Sequence, residues 1–156
     1  MKTVSAVGST FLALQLLLAG CGRETGPWVA FDGGGFVFNY RIAEASYGFN
    51  VKPLRRLPEG AVLEAEFEDP GGGKPIFVRE VVTGPALRYM FQTPPLTGIK
   101  AAKPYRAVIR VMAPGGDTIL ASYERKFVSD VDQSWLPDKP LVVGPGYAPN
   151  PDLQRN

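Results

Sequence analysis

The sequence predicts an all-β protein: a single antiparallel β-sandwich of about seven strands. Three observations lead there. Apolar residues recur with period two rather than 3.6. Glycine and proline, 18 and 15 in the 156-residue chain, punctuate it so closely that no helical stretch of more than a few residues fits between them. The alternating segments follow one another at roughly 10–15-residue spacing with no intervening helix, as in a sandwich or barrel.

The first strand is read from Phe36, Phe38, Tyr40 and Ile42, which alternate with Val37, Asn39, Arg41 and Ala43 and give one aromatic, core-facing side. Tyr47, Phe49 and Val51 alternate with Gly48, Asn50 and Lys52, a second strand or a bulged continuation of the first. Ala61, Leu63, Ala65 and Phe67 alternate with Val62, Glu64, Glu66 and Glu68, the cleanest half-buried pattern in the chain. Residues 76–82 are apolar on both faces, which predicts a central strand. Leu87, Tyr89 and Phe91 alternate with Arg88, Met90 and Gln92. Tyr105, Ala107, Ile109 and Val111 alternate with Arg106, Val108, Arg110 and Met112. Residues 119–128 form the last strand, with a bulge expected near Glu124-Arg125. The connections carry turn chemistry: Leu57-Pro58-Glu59-Gly60, Asp69-Pro70-Gly71-Gly72-Gly73, Thr83-Gly84-Pro85 and Pro114-Gly115-Gly116-Asp117.

One detail narrows the architecture. Ile99 stands six positions before Tyr105, which opens an alternating strand. This spacing resembles the tyrosine corner of immunoglobulin-like and fibronectin type III sandwiches. The resemblance implies that the Tyr105 hydroxyl bonds back to upstream backbone and pins the crossover between sheets. It covers about seven residues and implies an immunoglobulin-like sandwich; an ordinary core tyrosine at a strand start is the alternative. No Cys-Trp-Cys hallmark is present, so a transthyretin-like or other sandwich topology stays open. From Asp130 the character changes. Five prolines between Pro137 and Pro151 exclude helix and disfavour an inner strand. This tail either lies extended on the sandwich, anchored by Trp135, Leu141, Val142, Val143 and Tyr147, or is a free partner-binding arm.

Composition removes whole classes of chemistry. There is no histidine and one cysteine. Ser-His-Asp and Cys-His catalysis are therefore excluded, as are zinc sites built on His or paired Cys and any intramolecular disulfide. The formal charge of +2 is too small for a nucleic-acid footprint.

The N-terminus reads as a targeting segment. Lys2 supplies a positive start, and residues 11–18 are almost wholly apolar. That run is too short for a bilayer span of roughly 20 residues but suits a signal peptide. It ends Leu18-Ala19-Gly20-Cys21. These four residues resemble the lipobox of bacterial lipoproteins. The resemblance implies that Leu18, Ala19 and Gly20 are read by the signal peptidase and that Cys21 carries a diacylglyceryl group. It also implies that the freed amine is acylated, for example with palmitate. An ordinary secretory signal or an uncleaved helix are the alternatives. Gly22 in place of Asp favours, on the family rule, the outer membrane facing the periplasm over the inner membrane. The domains are then 1–20 signal peptide, 21–27 lipidated tether, 28–129 β-sandwich and 130–156 Pro-rich tail. Removing residues 1–20 leaves 136, with 16 Lys and Arg against 15 Asp and Glu.

Candidate sites in the mature chain read mainly as structure. Gly33-Gly34-Gly35 and Gly71-Gly72-Gly73 lack the Ser/Thr and following helix of a phosphate loop and read as turns. Glu64, Glu66, Glu68 and Asp69 read as a solvated strand face, with Arg106 and Arg110 as cross-strand partners if the strands adjoin. Asp130 and Asp132 lack the Gly and terminal Glu of a calcium loop. Lys100, Lys103, Arg106 and Arg110, joined by Lys52, Arg55 and Arg56, read as a solubilising or lipid-facing basic stretch. No cofactor, metal or small-molecule substrate is expected. The function expected is non-enzymatic: a lipid-anchored binding or assembly module for another envelope protein, engaged through a sheet edge or the tail. The alternative is a carbohydrate- or peptidoglycan-binding module using Trp28, Tyr47, Trp135 and Tyr147. A hydrolase using carboxylates alone is the third class.

Cys21→Ala is expected to abolish fatty-acid labelling and to release the protein from membranes; membrane fractionation showing unchanged retention refutes lipid anchoring.

Overall fold

The period-two pattern produces seven main strands within residues 25–153, which are the residues the computed structural model describes. They are β1 (Val29–Asn39), β2 (Glu44–Pro53), β3 (Val62–Phe67), β4 (Ile76–Val81), β5 (Tyr89–Gln92), β6 (Pro104–Met112) and β7 (Ile119–Val128). A three-stranded antiparallel sheet runs in the order β1-β2-β5 and a four-stranded one in the order β4-β3-β6-β7. The protein is thus an all-β, immunoglobulin-like antiparallel sandwich. Its fourth strand pairs with β3, whereas the constant-type immunoglobulin arrangement places the fourth strand in the first sheet.

The core lies between the sheets and follows the alternation. Ala45, Tyr47, Phe49 and Val51 of β2 are buried, as are Leu63, Ala65 and Phe67 of β3. Tyr105, Ala107, Ile109 and Val111 of β6 complete the layer, with Tyr89, Phe91 and Phe127. Each large apolar side chain so buried stabilises the fold by about 1.5–3 kcal/mol relative to exposure.

Several elements differ from the sequence reading. β1 starts at Val29 and stops at Asn39; Tyr40 and Ile42 belong to a turn in which Ala43 takes φ 57°. The Asn39 side chain caps that turn by accepting from Arg41 N at 3.2 Å. The Gly33-Gly34-Gly35 run is no turn. It lies inside β1 and carries a bulge between Phe31 and Gly34. Glycine is needed at 34, where φ is 148° and a Cβ would meet Gly48 O at 2.6 Å and the Phe127 ring at 2.7 Å. β4 is an edge strand, not a central one, so its outward Phe77 and Val81 are each 53% exposed. β5 begins only at Tyr89, opposite Val51, and Leu87 falls outside it. The bulge in β7 sits at Leu120 rather than near Glu124, because Val111 pairs with Ala121 and Met112 with Ile119.

Tyr105 is fully buried at the start of β6. Its hydroxyl accepts from Lys100 N at 2.8 Å and lies 3.4 Å from Gly98 O, to which it donates. Ile99 between them is also fully buried. The chain from 98 to 105 is therefore closed on itself where it crosses from one sheet to the other.

The tail is docked, through polar contacts more than through its aromatics. Gln133 N donates to Ile99 O at 2.9 Å, while its side chain accepts from Ile99 N at 3.1 Å and donates to Leu96 O at 2.7 Å. Asp132 accepts from Ala101 N and Lys100 Nζ, both at 3.1 Å. Further on, Leu141 N donates to Arg41 O at 2.8 Å. A short hairpin follows, β8 (Val142–Val143) with β9 (Ala148–Pro149), held by Asn150 Nδ2 donating to Pro140 O at 2.7 Å. Trp135 contributes little to this docking and is 68% exposed.

Tyr105→Phe removes the partner of a partly buried backbone donor and is expected to cost about 1 kcal/mol. Denaturant unfolding checks this as a lower midpoint with an unchanged slope.

Candidate functional site

The outward face of the four-stranded sheet is built by the residues between the core positions. Glu64 pairs across β3 with Arg79 on one side and Arg110 on the other; Glu66 pairs with Phe77 and Val108. The register places three arginines around two carboxylates. Arg79 donates to Glu64 Oε2 from Nε at 2.7 Å and Nη2 at 2.5 Å, and Arg110 Nη1 donates to Glu64 Oε1 at 3.0 Å. Arg110 Nη2 also donates to Glu66 Oε2, and Arg106 Nη1 to Glu66 Oε1 at 3.0 Å. Arg106 reaches further, donating from Nε to Glu124 Oε2 at 2.7 Å. Glu64 is buried beneath this network, which corrects the reading of a solvated acidic face. Val108, between Arg106 and Arg110 on β6, is buried as well.

The electrostatics argue against acid catalysis here. Burial pushes the Glu66 carboxyl up, but the hydrogen bonds and charges of Arg110 and Arg106 outweigh it and hold the group below its ordinary value. A carboxylate held ionised does not serve as a general acid, which needs the opposite shift. Among the described residues no group of three or more Cys, His, Asp or Glu is placed to hold a metal ion.

The flank of this sheet offers a different feature. Glu68 N donates to Arg106 O at 2.9 Å. Even-numbered β3 residues therefore bond toward β6 and odd-numbered ones toward β4. Residues 76, 78 and 80 of β4 are thus used by β3, and the N–H groups of Phe77, Arg79 and Val81 point to the open edge. Phe77 and Val81 stand half-exposed on either side of Arg79. The edge has the geometry to accept an added antiparallel or parallel strand.

The remaining candidates scatter. Leu18, Ala19, Gly20 and Cys21 lie outside the described residues. The four aromatic residues do not form one platform: Tyr47 is in the core and Trp28 packs against it under Arg55, whose guanidinium sits 3.4 Å over the indole ring. Trp135 and Tyr147 alone are exposed, both on the tail. The basic stretch is dispersed into partnerships as well. Lys100 pairs with Asp132 at 3.1 Å, and Arg106 and Arg110 are bound to glutamates. Asp132 is a tail-docking residue, and the Gly71-Gly72-Gly73 turn is held by Asp69, which accepts from Gly71 N at 2.9 Å and Gly73 N at 3.2 Å. Sequence reasoning missed the open β4 edge, whose only signal was the apolar Phe77 and Val81 flanking Arg79. No family model, curated protein or solved structure matches the chain.

Arg110→Ala strips a partner from two carboxylates at once and is expected to destabilise the fold by about 2–3 kcal/mol, read by chemical unfolding. The depressed Glu66 value stabilises the fold above the ordinary carboxylate range, near pH 4.3, and that contribution is lost as pH falls through the folded value. Glu66→Gln is accordingly expected to flatten the acid limb of a stability-against-pH curve.

Proposed function

We propose that the chain is a lipid-anchored lipoprotein of the bacterial envelope, attached through Cys21, whose sandwich is a non-catalytic binding or assembly module for another envelope protein. The outer membrane, facing the periplasm, is its proposed location, on the residue after Cys21. The observation that carries the binding role is the open edge of β4. Three backbone N–H groups point outward there between two half-exposed apolar side chains, Phe77 and Val81. An extended segment of the partner supplies main-chain hydrogen bonds to the edge and seats alternate side chains against Phe77 and Val81. The edge is short and carries Arg79 and Glu80, with Lys74 and Pro75 before it. Such residues discourage pairing of the chain with itself and leave room for a matched partner. The Arg–Glu network beside it ties β4 to β3 and β3 to β6.

A photo-crosslinking residue at position 77 in intact cells is expected to capture one discrete partner. Val81→Pro removes an outward donor while sparing the β3 ladder, and is expected to reduce that capture about tenfold without lowering the melting temperature. Capture unaffected by Val81→Pro sinks the strand-addition reading.

A further inference from the structure

The strand directions decide which loops share an end of the sandwich. Val29 opens β1 opposite Pro53, and Leu54 N donates to Trp28 O at 2.9 Å. Tyr89 opens β5 opposite Val51. In the facing sheet Val62 lies level with Val81 and Met112. Gly60 faces Pro114, and one groove is lined by Pro53 and Leu57 together with Val82 and Tyr89, so the two sheets share this sense. Residues 54–61, 82–88 and 113–118 therefore gather at the end where the chain enters through Trp28. The 40–43 turn, the 93–103 segment and the docked tail lie at the other end.

The entry end has an unusual surface. Residues 81–87, Val-Val-Thr-Gly-Pro-Ala-Leu, carry no charge. Leu87, near the β5 end of this loop, is 96% exposed, and Leu54 on the adjoining loop is 48% exposed. A groove of about 560 Å³ separates the two loops, walled by Arg55, Arg56, Leu57, Val82 and Tyr89 among others. Lys52 and Arg56 are exposed beside it, against Glu59 and Asp117 at the same end. These four charges cancel, and Arg88 beside Leu87 is paired with Asp32 at 2.5 Å, so the apolar residues rather than net charge set the chemistry. Cys21 lies seven residues before Trp28. At no more than ~3.5 Å per residue, that chain length holds this end within about 25 Å of any lipid on Cys21.

We infer that this end is a membrane-contacting tip: Leu87 and Leu54 enter the interfacial layer of an anionic bilayer, with Lys52 and Arg56 at headgroup depth. The inference rests on lipid anchoring at Cys21. It assigns the exposed leucines an occupant, the bilayer itself, because a tether of at most about 25 Å keeps this end beside the membrane, while strands of 10–11 residues, about 34 Å long, carry the tail end away from it. Contact there fixes the domain upright, with its strands steeply inclined to the membrane plane.

The test supplies the tether chemically. The chain from Cys21 onward is coupled through its single thiol to a maleimide phospholipid in phosphatidylcholine vesicles containing about one-quarter phosphatidylglycerol. The same chain coupled to soluble maleimide polymer is the reference. Amide hydrogen exchange is expected to slow at least about threefold on vesicles in residues 54–59 and 83–88, with residues 141–149 unchanged. Leu54→Asp combined with Leu87→Asp is expected to restore the reference rates while leaving the melting temperature in place. Equal rates on vesicle and polymer, or slowing spread over the whole chain, overturns the tip. Because coupling replaces cellular lipidation, this result stands apart from the fate of Cys21→Ala in cells, which reads the anchor alone.

Discussion

The two sheets meet through one continuous layer of aromatic rings, and the remainder of the molecule is arranged around filling it. Tyr47 occupies its centre, with ring centroids at 4.8 Å from Phe36, 5.1 Å from Phe67 and 6.4 Å from both Tyr105 and Phe127. Phe49 continues the layer to Phe31 at 4.9 Å and Phe91 at 5.7 Å. Rings this large impose two conditions. Their polar ends need partners, so the Tyr47 hydroxyl donates to Glu68 O at 2.7 Å, and burial raises its phenol so far that it stays a neutral donor. Their bulk also demands bare backbone nearby, which Gly34 supplies against Phe127 and Phe49.

Outside that layer the four-stranded sheet divides its labour by position. Its two central strands, β3 and β6, face solvent with glutamates and arginines that satisfy one another. A buried Glu64 with three charge-assisted hydrogen bonds is tolerable only because Arg79 and Arg110 approach from opposite sides. The edge strand β4 instead alternates apolar and charged residues outward. The ion pairs are thus concentrated in the middle of the sheet and exposed apolar side chains at its β4 margin.

The amino-acid sequence discloses some of this well and some not at all. β2, β3 and β6 are legible because each buries one face, so the period of two appears undiluted in Tyr47-Phe49-Val51 and its counterparts. Tyr105 is legible through its spacing from Ile99. β4 misleads because side chains on both of its faces are apolar, and a half-exposed Phe77 looks on paper like a buried one. Leu87 misleads for a related reason: it fits the alternation of Tyr89 and Phe91 but finds no strand opposite it. The burial of Glu64 depends on which strands lie on either side of β3, which is a matter of topology rather than pattern. Docking of the tail depends on one side-chain amide, Gln133, reaching the 96–99 backbone, and no periodicity announces that. The lipobox-like residues Leu18, Ala19, Gly20 and Cys21 are conspicuous in the sequence through a short motif and lie outside the described structure.

The chain enters at one end of the sandwich through β1 and leaves the sandwich at the opposite end through β7. A pull between an anchor before Trp28 and a load on the tail therefore runs along the strands. The β1–β2 and β6–β7 ladders meet such a force in shear, with many hydrogen bonds strained together instead of one at a time. The same domain pulled across its sheets would unzip bond by bond. Forced unfolding is governed by its barrier rather than by equilibrium stability. The geometry thus sets tension between the two ends of the sandwich against whole ladders rather than single hydrogen bonds.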